Sequence, residues 1–116
     1  MEVEFWKTKT GRAPVFKFIK KQPAEASARL LHDLEHLEKQ GLKLQIYPRK
    51  LKALTGYKGL WELKTDFKGV FYRIIFCVKD GKAWLLEAFK KKDNHTRLKY
   101  INVALKRQKS LEAARH

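Results

Sequence analysis

The chain has 116 residues, enough for one domain and too few for two. Its single cysteine, Cys77, excludes an intramolecular disulfide, and no apolar run approaches the ~20 residues that span a bilayer. Twenty-seven Lys and Arg against twelve Asp and Glu give a net charge of +15, a field that attracts polyanions and points first to nucleic acid. Anionic membrane, an acidic protein partner and a merely solubilising surface are the other readings of that charge. The opening residues Met1–Trp6 carry Glu2 and Glu4 and do not read as a secretory signal, so a soluble cytoplasmic protein is expected.

The first element is a short strand, EVEFW at residues 2–6, with Val3 and Phe5 on one face. A turn follows. Pro14 suits a helix N1 position, and Val15, Phe18 and Ile19 recur at helical spacing, which predicts a helix over 14–21. Pro23 ends it and starts the next helix, over 23–40. The expected apolar stripe there is Ala24, Ala28, Leu31 and Leu34, joined by Leu30 and Leu37, with Gly41 as the stop. The acids Glu25, Asp33, Glu35 and Glu38 give this helix an acidic face.

Residues 41–59 read as an irregular basic connector. Three strands follow: 60–66, 70–78 and 83–89. The turn DFKG and the pair Asp80-Gly81 make them a meander. The last helix is predicted over 96–109, with Thr96 as N-cap. The expected domain is 1–109, and 110–116 is expected to fray. Residues 90–116 carry nine basic side chains against Asp93 and Glu112. The fold class is α+β, in the order β-α-α-β-β-β-α: one curved antiparallel sheet, two N-terminal helices on one face, and the other face less covered.

Arg73 interrupts the most apolar run, VFYRIIFCV at 70–78. Alternation resolves the conflict. Tyr72, Ile74, Phe76 and Val78 form the core face, and Phe71, Arg73, Ile75 and Cys77 the other. On the preceding strand Glu62, Lys64 and Asp66 share a polar face. Either Arg73 opens into a basic groove and grips a phosphate, or Glu62, Asp66 or Glu87 neutralises it.

The runs LKALTGYKGLWELK, VFYRIIF and WLLEAFKKK, with the opening EVEFW and the Pro14–Ile19 helix, resemble the Gp49-like, HigB-type branch of the RelE/ParE toxin superfamily. The likeness spans residues 2–109 and implies a RelE-like domain. It implies a type II toxin that cleaves mRNA on the ribosome without metal or cofactor. The 2′-OH attacks the adjacent phosphate and leaves a 2′,3′-cyclic phosphate and a 5′-OH. It also implies a small helix-turn-helix antitoxin as partner, with ribosome and mRNA as the other partners and no membrane role. The toxin alone is expected to be a monomer that assembles further with its antitoxin.

On this resemblance Arg73 braces the phosphate. Lys64 and the Lys91–Lys92 pair bind RNA or act in the transition state, and a lysine base needs its pKa lowered by neighbouring cations. His95 is a candidate general acid or base, set against an ordinary solvated loop histidine. Glu62 is a base or a salt-bridge partner, and Tyr100 is given no role. Lys50, Lys52, Lys58, Lys90, Lys92, Arg97, Lys106 and Arg107 are the candidate RNA- and ribosome-binding cations. Tyr47 and Tyr57 are stacking candidates, while Trp61, Trp84 and Phe89 read as core. His32 and His36 read as surface residues without a metal, and Cys77 as a buried small hydrophobe. The alternatives are a ParE-like gyrase inhibitor and a basic RNA-binding module without catalysis.

Overall fold

The computed structural model describes residues 1–47, 49–91 and 97–113. Its elements are β1 (Glu2–Phe5), α1 (Pro14–Lys21), α2 (Ala24–Gln40), a 3-10 helix (Gly41–Ile46), β2 (Leu51–Ala53), β3 (Leu60–Phe67), β4 (Val70–Lys79), β5 (Lys82–Lys91) and α3 (Arg97–Ala113). Among the described residues, no helix is long and apolar enough to cross a membrane.

The α+β class and the two helices on one sheet face are as the sequence predicts. Three features differ. The sheet has five strands, in the order β1-β5-β4-β3-β2. It is mixed and not wholly antiparallel, because β1 pairs in parallel with β5 from Glu2–Lys82 to Phe5–Leu85. The connector supplies a strand, β2, whose Lys52 stands opposite Glu62 of β3. Helix α3 runs to Ala113, and the rest of the 110–116 tail lies outside the described residues.

Local chemistry explains the hairpins. Lys68-Gly69 and Asp80-Gly81 occupy the two tight turns with positive φ at both residues: 49° and 77° in the first, 55° and 74° in the second. Such primed turns match the twist of the strands they join, and glycine adopts that backbone without a Cβ clash. Gly41, at φ 59°, ends α2, and its N–H donates to the Leu37 carbonyl.

The first core packs α1 and α2 on the sheet through Val15, Ile19, Leu30, Leu34, Leu37, Leu63, Ile74, Phe76 and Leu85. The buried stripe of α2 is Ala26, Leu30, Asp33, Leu34 and Leu37, rotated from the expected one, with Leu31 exposed. The rotation buries an acid. The Asp33 Oδ2 accepts from the Thr65 hydroxyl at 2.6 Å and from the Lys50 ammonium at 2.8 Å, which satisfies it inside the core edge.

The second sheet face, expected to be the less covered one, is covered by α3. Ile101 and Ala104 of α3 pack with Leu54, Leu60, Ile75, Cys77, Leu86 and Phe89. Between Ile75 and Phe76 the β4–β5 register slips, so Leu86 has no partner on β4. A bulge leaves backbone groups out of the ladder. Arg107 of α3 supplies a donor there, giving a hydrogen bond to the Leu86 carbonyl at 2.7 Å. Near the start of α3, Tyr100 stacks on Phe89 with ring centroids 4.2 Å apart. In register, Arg73 lies opposite Phe89, and Phe71 opposite Lys91 is the next pair out on that face.

Candidate functional site

The site forms at that outer end of the α3 face. Alternation on β3 presents Glu62, Lys64 and Asp66 on one side, and the register sets Lys64 opposite Arg73 and Asp66 opposite Phe71. On the flanking strands, Lys52 pairs with Glu62 by way of β2, and Lys91 with Phe71 by way of β5. Two like charges directly opposite each other on a sheet are destabilising. The carboxylates of Glu62 and Asp66 flank Lys64 on its own strand and offset that repulsion.

Arg73 does not open freely into the groove. Its side chain is 8% exposed; its Nε lies 3.5 Å from Glu62 Oε1, and its NH1 donates to Asp66 Oδ1 at 3.2 Å. NH1 also donates to the Tyr72 carbonyl at 3.0 Å. The buried Nε makes no hydrogen bond, and its 3.5 Å contact with Glu62 is an ion pair only. Of the three acids weighed as partners, Glu62 and Asp66 take Arg73. Glu87 faces Arg107 instead, at 3.4 Å.

Lys64 is half-buried, and its pKa is lowered. Burial is the main cause; Lys52 and Arg73 push in the same direction, Glu62 opposes them, and Lys91 adds a smaller push downward. Three cations, Lys52, Arg73 and Lys91, thus act on Lys64. Crowding of this kind makes a lysine able to hold or release a proton nearer neutral pH. Lys52, read from the sequence as an RNA- or ribosome-binding cation, belongs to this group; its alternation with Leu51 on a strand inside the connector was the available signal.

The remaining candidates are dispersed. Lys50 is paired with Asp33, and Lys90 lies on the α1 and α2 face with its Nζ 6.0 Å from the Tyr72 ring centroid. Arg107 ties α3 to β5 and stacks over Trp6 at 4.8 Å. Lys58 and Lys106 are exposed and are not among the charges that shift Lys64. Lys92 and His95 lie outside the described residues, as does the side chain of Arg97. Tyr57 packs against the α3 core, whereas Tyr47 is 59% exposed. Trp61 packs on the first core, and Trp84 and Phe89 belong to the second.

Cys77 is buried, and burial pushes its thiol up to about 11, which leaves it protonated and a poor nucleophile. His32, Asp33 and His36 hold three potential metal-ligand atoms within 4.8 Å of one another. Of the Asp33 carboxylate, Oδ2 is already engaged by Lys50 and Thr65.

No curated protein and no solved structure matches the chain. Residues 17–109 match the phage-derived protein Gp49-like family, a span that runs from α1 through most of α3 and includes every member of the cation group. The three helices and five-stranded sheet are consistent with the RelE-like fold expected of such a protein. By that match the chain belongs to the phage-derived Gp49-like family, the family of Gp49/HigB-type toxins.

Proposed function

We propose that this Gp49-like toxin is a ribosome-dependent mRNA endoribonuclease, restrained by a cognate helix-turn-helix antitoxin. The observation that supports it is the lowered pKa of Lys64 inside the group Lys52, Arg73 and Lys91. Cleavage by 2′-OH attack needs a base, fixed positive charge for the phosphorane and an acid for the leaving oxygen. In this reading neutral Lys64 takes the 2′-OH proton, and the oxygen closes on phosphorus to form the 2′,3′-cyclic phosphate. The P–O5′ bond breaks, and the departing oxygen is protonated to the 5′-OH. Lys91 and Lys52 hold the non-bridging oxygens. The NH1 of Arg73 joins them when its exposed partner Asp66 moves aside. His95 is the candidate acid. The reaction as written takes its positive charge from side chains.

Primer extension on cellular mRNA after induction tests this reading. Discrete cleavage sites are expected with the natural chain and not with Lys64→Ala. Intact mRNA under growth arrest by the natural chain would reject it.

The two carboxylates on Arg73 favour a second reading, in which the site binds RNA and does no chemistry. That reading predicts salt-dependent RNA binding without cleavage products on translating ribosomes.

A further inference from the structure

We propose that Phe71 is a nucleobase platform at the rim of the cation group, on which a base of single-stranded RNA stacks next to the bound phosphate. The inference rests on the RNA-directed reading above and names the contact that seats the nucleotide. Phe71 is 44% exposed, whereas Phe89 and Trp84, aromatics of the same sheet face, pack against α3. It stands at the next pair on that face beyond Arg73–Phe89, between Asp66 on β3 and Lys91 on β5. Its ring stands open to solvent beside Asp66, Lys91 and the Arg73 guanidinium.

The placement fits a nucleotide. Lys91 is its direct cross-strand neighbour and Lys64 a diagonal one, so cations stand one to two side-chain spacings from the ring. A nucleotide holds its base one sugar away from its phosphate, a separation of the same order. Ring stacking tolerates any base, because every base has a π face. The Arg73 guanidinium carbon lies 5.8 Å from the Phe71 ring centroid. That contact offers a purely structural role, covering the arginine, which a leucine would also fulfil.

The test uses the full chain and a short single-stranded oligonucleotide carrying one 2-aminopurine. Its sugars are 2′-fluoro, so that no 2′-OH can react. Stacking is expected to quench the fluorophore on binding. Phe71→Leu should abolish the quenching and weaken binding on the order of tenfold, with an unchanged thermal melt. Phe71→Trp should retain both quenching and affinity. Full quenching by Phe71→Leu, or loss of quenching by Phe71→Trp, would overturn the platform. If in the same experiment Lys64→Ala still weakens binding, the cation site survives without the platform. Failure of the natural chain to bind the oligonucleotide at low salt would instead remove the RNA reading, and the platform with it.

Discussion

The Nε of Arg73 lies 3.5 Å from Oε1 of Glu62, and both side chains are buried. Glu62 lies diagonal to Arg73 across the β3–β4 pair, while Lys64 is directly opposite. The buried carboxylate therefore makes a buried guanidinium tolerable beside a second cation. Removing Glu62 leaves the buried guanidinium with the exposed Asp66, and removing Arg73 leaves the buried carboxylate with Lys52 opposite; either change unbalances a buried charge, at a cost of up to about 3–5 kcal/mol.

Arg73→Ala is accordingly expected to destabilise the domain by about that amount, measured by urea unfolding. The double variant Glu62→Gln with Arg73→Ala should recover a large part of the loss. Loss of toxicity in Arg73→Ala alone is thus ambiguous between catalysis and folding, and the double variant separates the two. Additive effects in the cycle would contradict a coupled pair.

Lys64 carries the pH prediction. Its pKa is lowered, and it acts as a base only when neutral. The cleavage rate should therefore rise with pH through a value below that of an ordinary lysine. Lys52→Ala removes one repelling cation and should raise the Lys64 pKa, moving the rise to higher pH. A rate profile on programmed ribosomes checks it, and an unmoved profile in Lys52→Ala would count against Lys64 as the base.

Asp66 is the exposed carboxylate of the site, with its side chain 55% exposed. Asp66→Ala takes a negative charge away from the proposed anion site and frees one N–H of the Arg73 NH1, which keeps its bond to the Tyr72 carbonyl. Affinity for the 2′-fluoro oligonucleotide should rise on the order of tenfold at low ionic strength, and the gain should shrink as salt is added. Weaker binding would mean that Asp66 orients Arg73 for the ligand.

Lys50 tests the division between structure and binding. Asp33→Ala strips the buried Thr65 hydroxyl of its acceptor and should cost about 1–3 kcal/mol by urea unfolding. Lys50→Ala should leave RNA affinity nearly unchanged, whereas Lys91→Ala should lower it. A binding loss from Lys50→Ala equal to that from Lys91→Ala would return Lys50 to the interface.

Much of the site was legible because strand periodicity reports faces. The sets Glu62, Lys64, Asp66 and Phe71, Arg73 follow from alternation alone, and the structure puts them on one face. The helix over 14–21 and the Asp80-Gly81 turn likewise come from local rules, namely proline at N1 and positive φ at a primed turn. The stripe of α2 was misplaced because alanines at Ala24 and Ala28 look apolar in sequence but bury too little area to compete with Leu30, Leu34 and Leu37.

By itself the sequence determined which residues share a face, where the chain turns and how much positive charge must find a counter-charge, since these depend on near neighbours and on sums. Only the tertiary structure decided partners: β1 beside β5, Lys50 on Asp33, Arg107 on the bulge at Leu86, and Arg73 between Glu62 and Asp66. Those choices bring together residues distant along the chain, and what selects among the available carboxylates is burial and geometry, which no local pattern encodes.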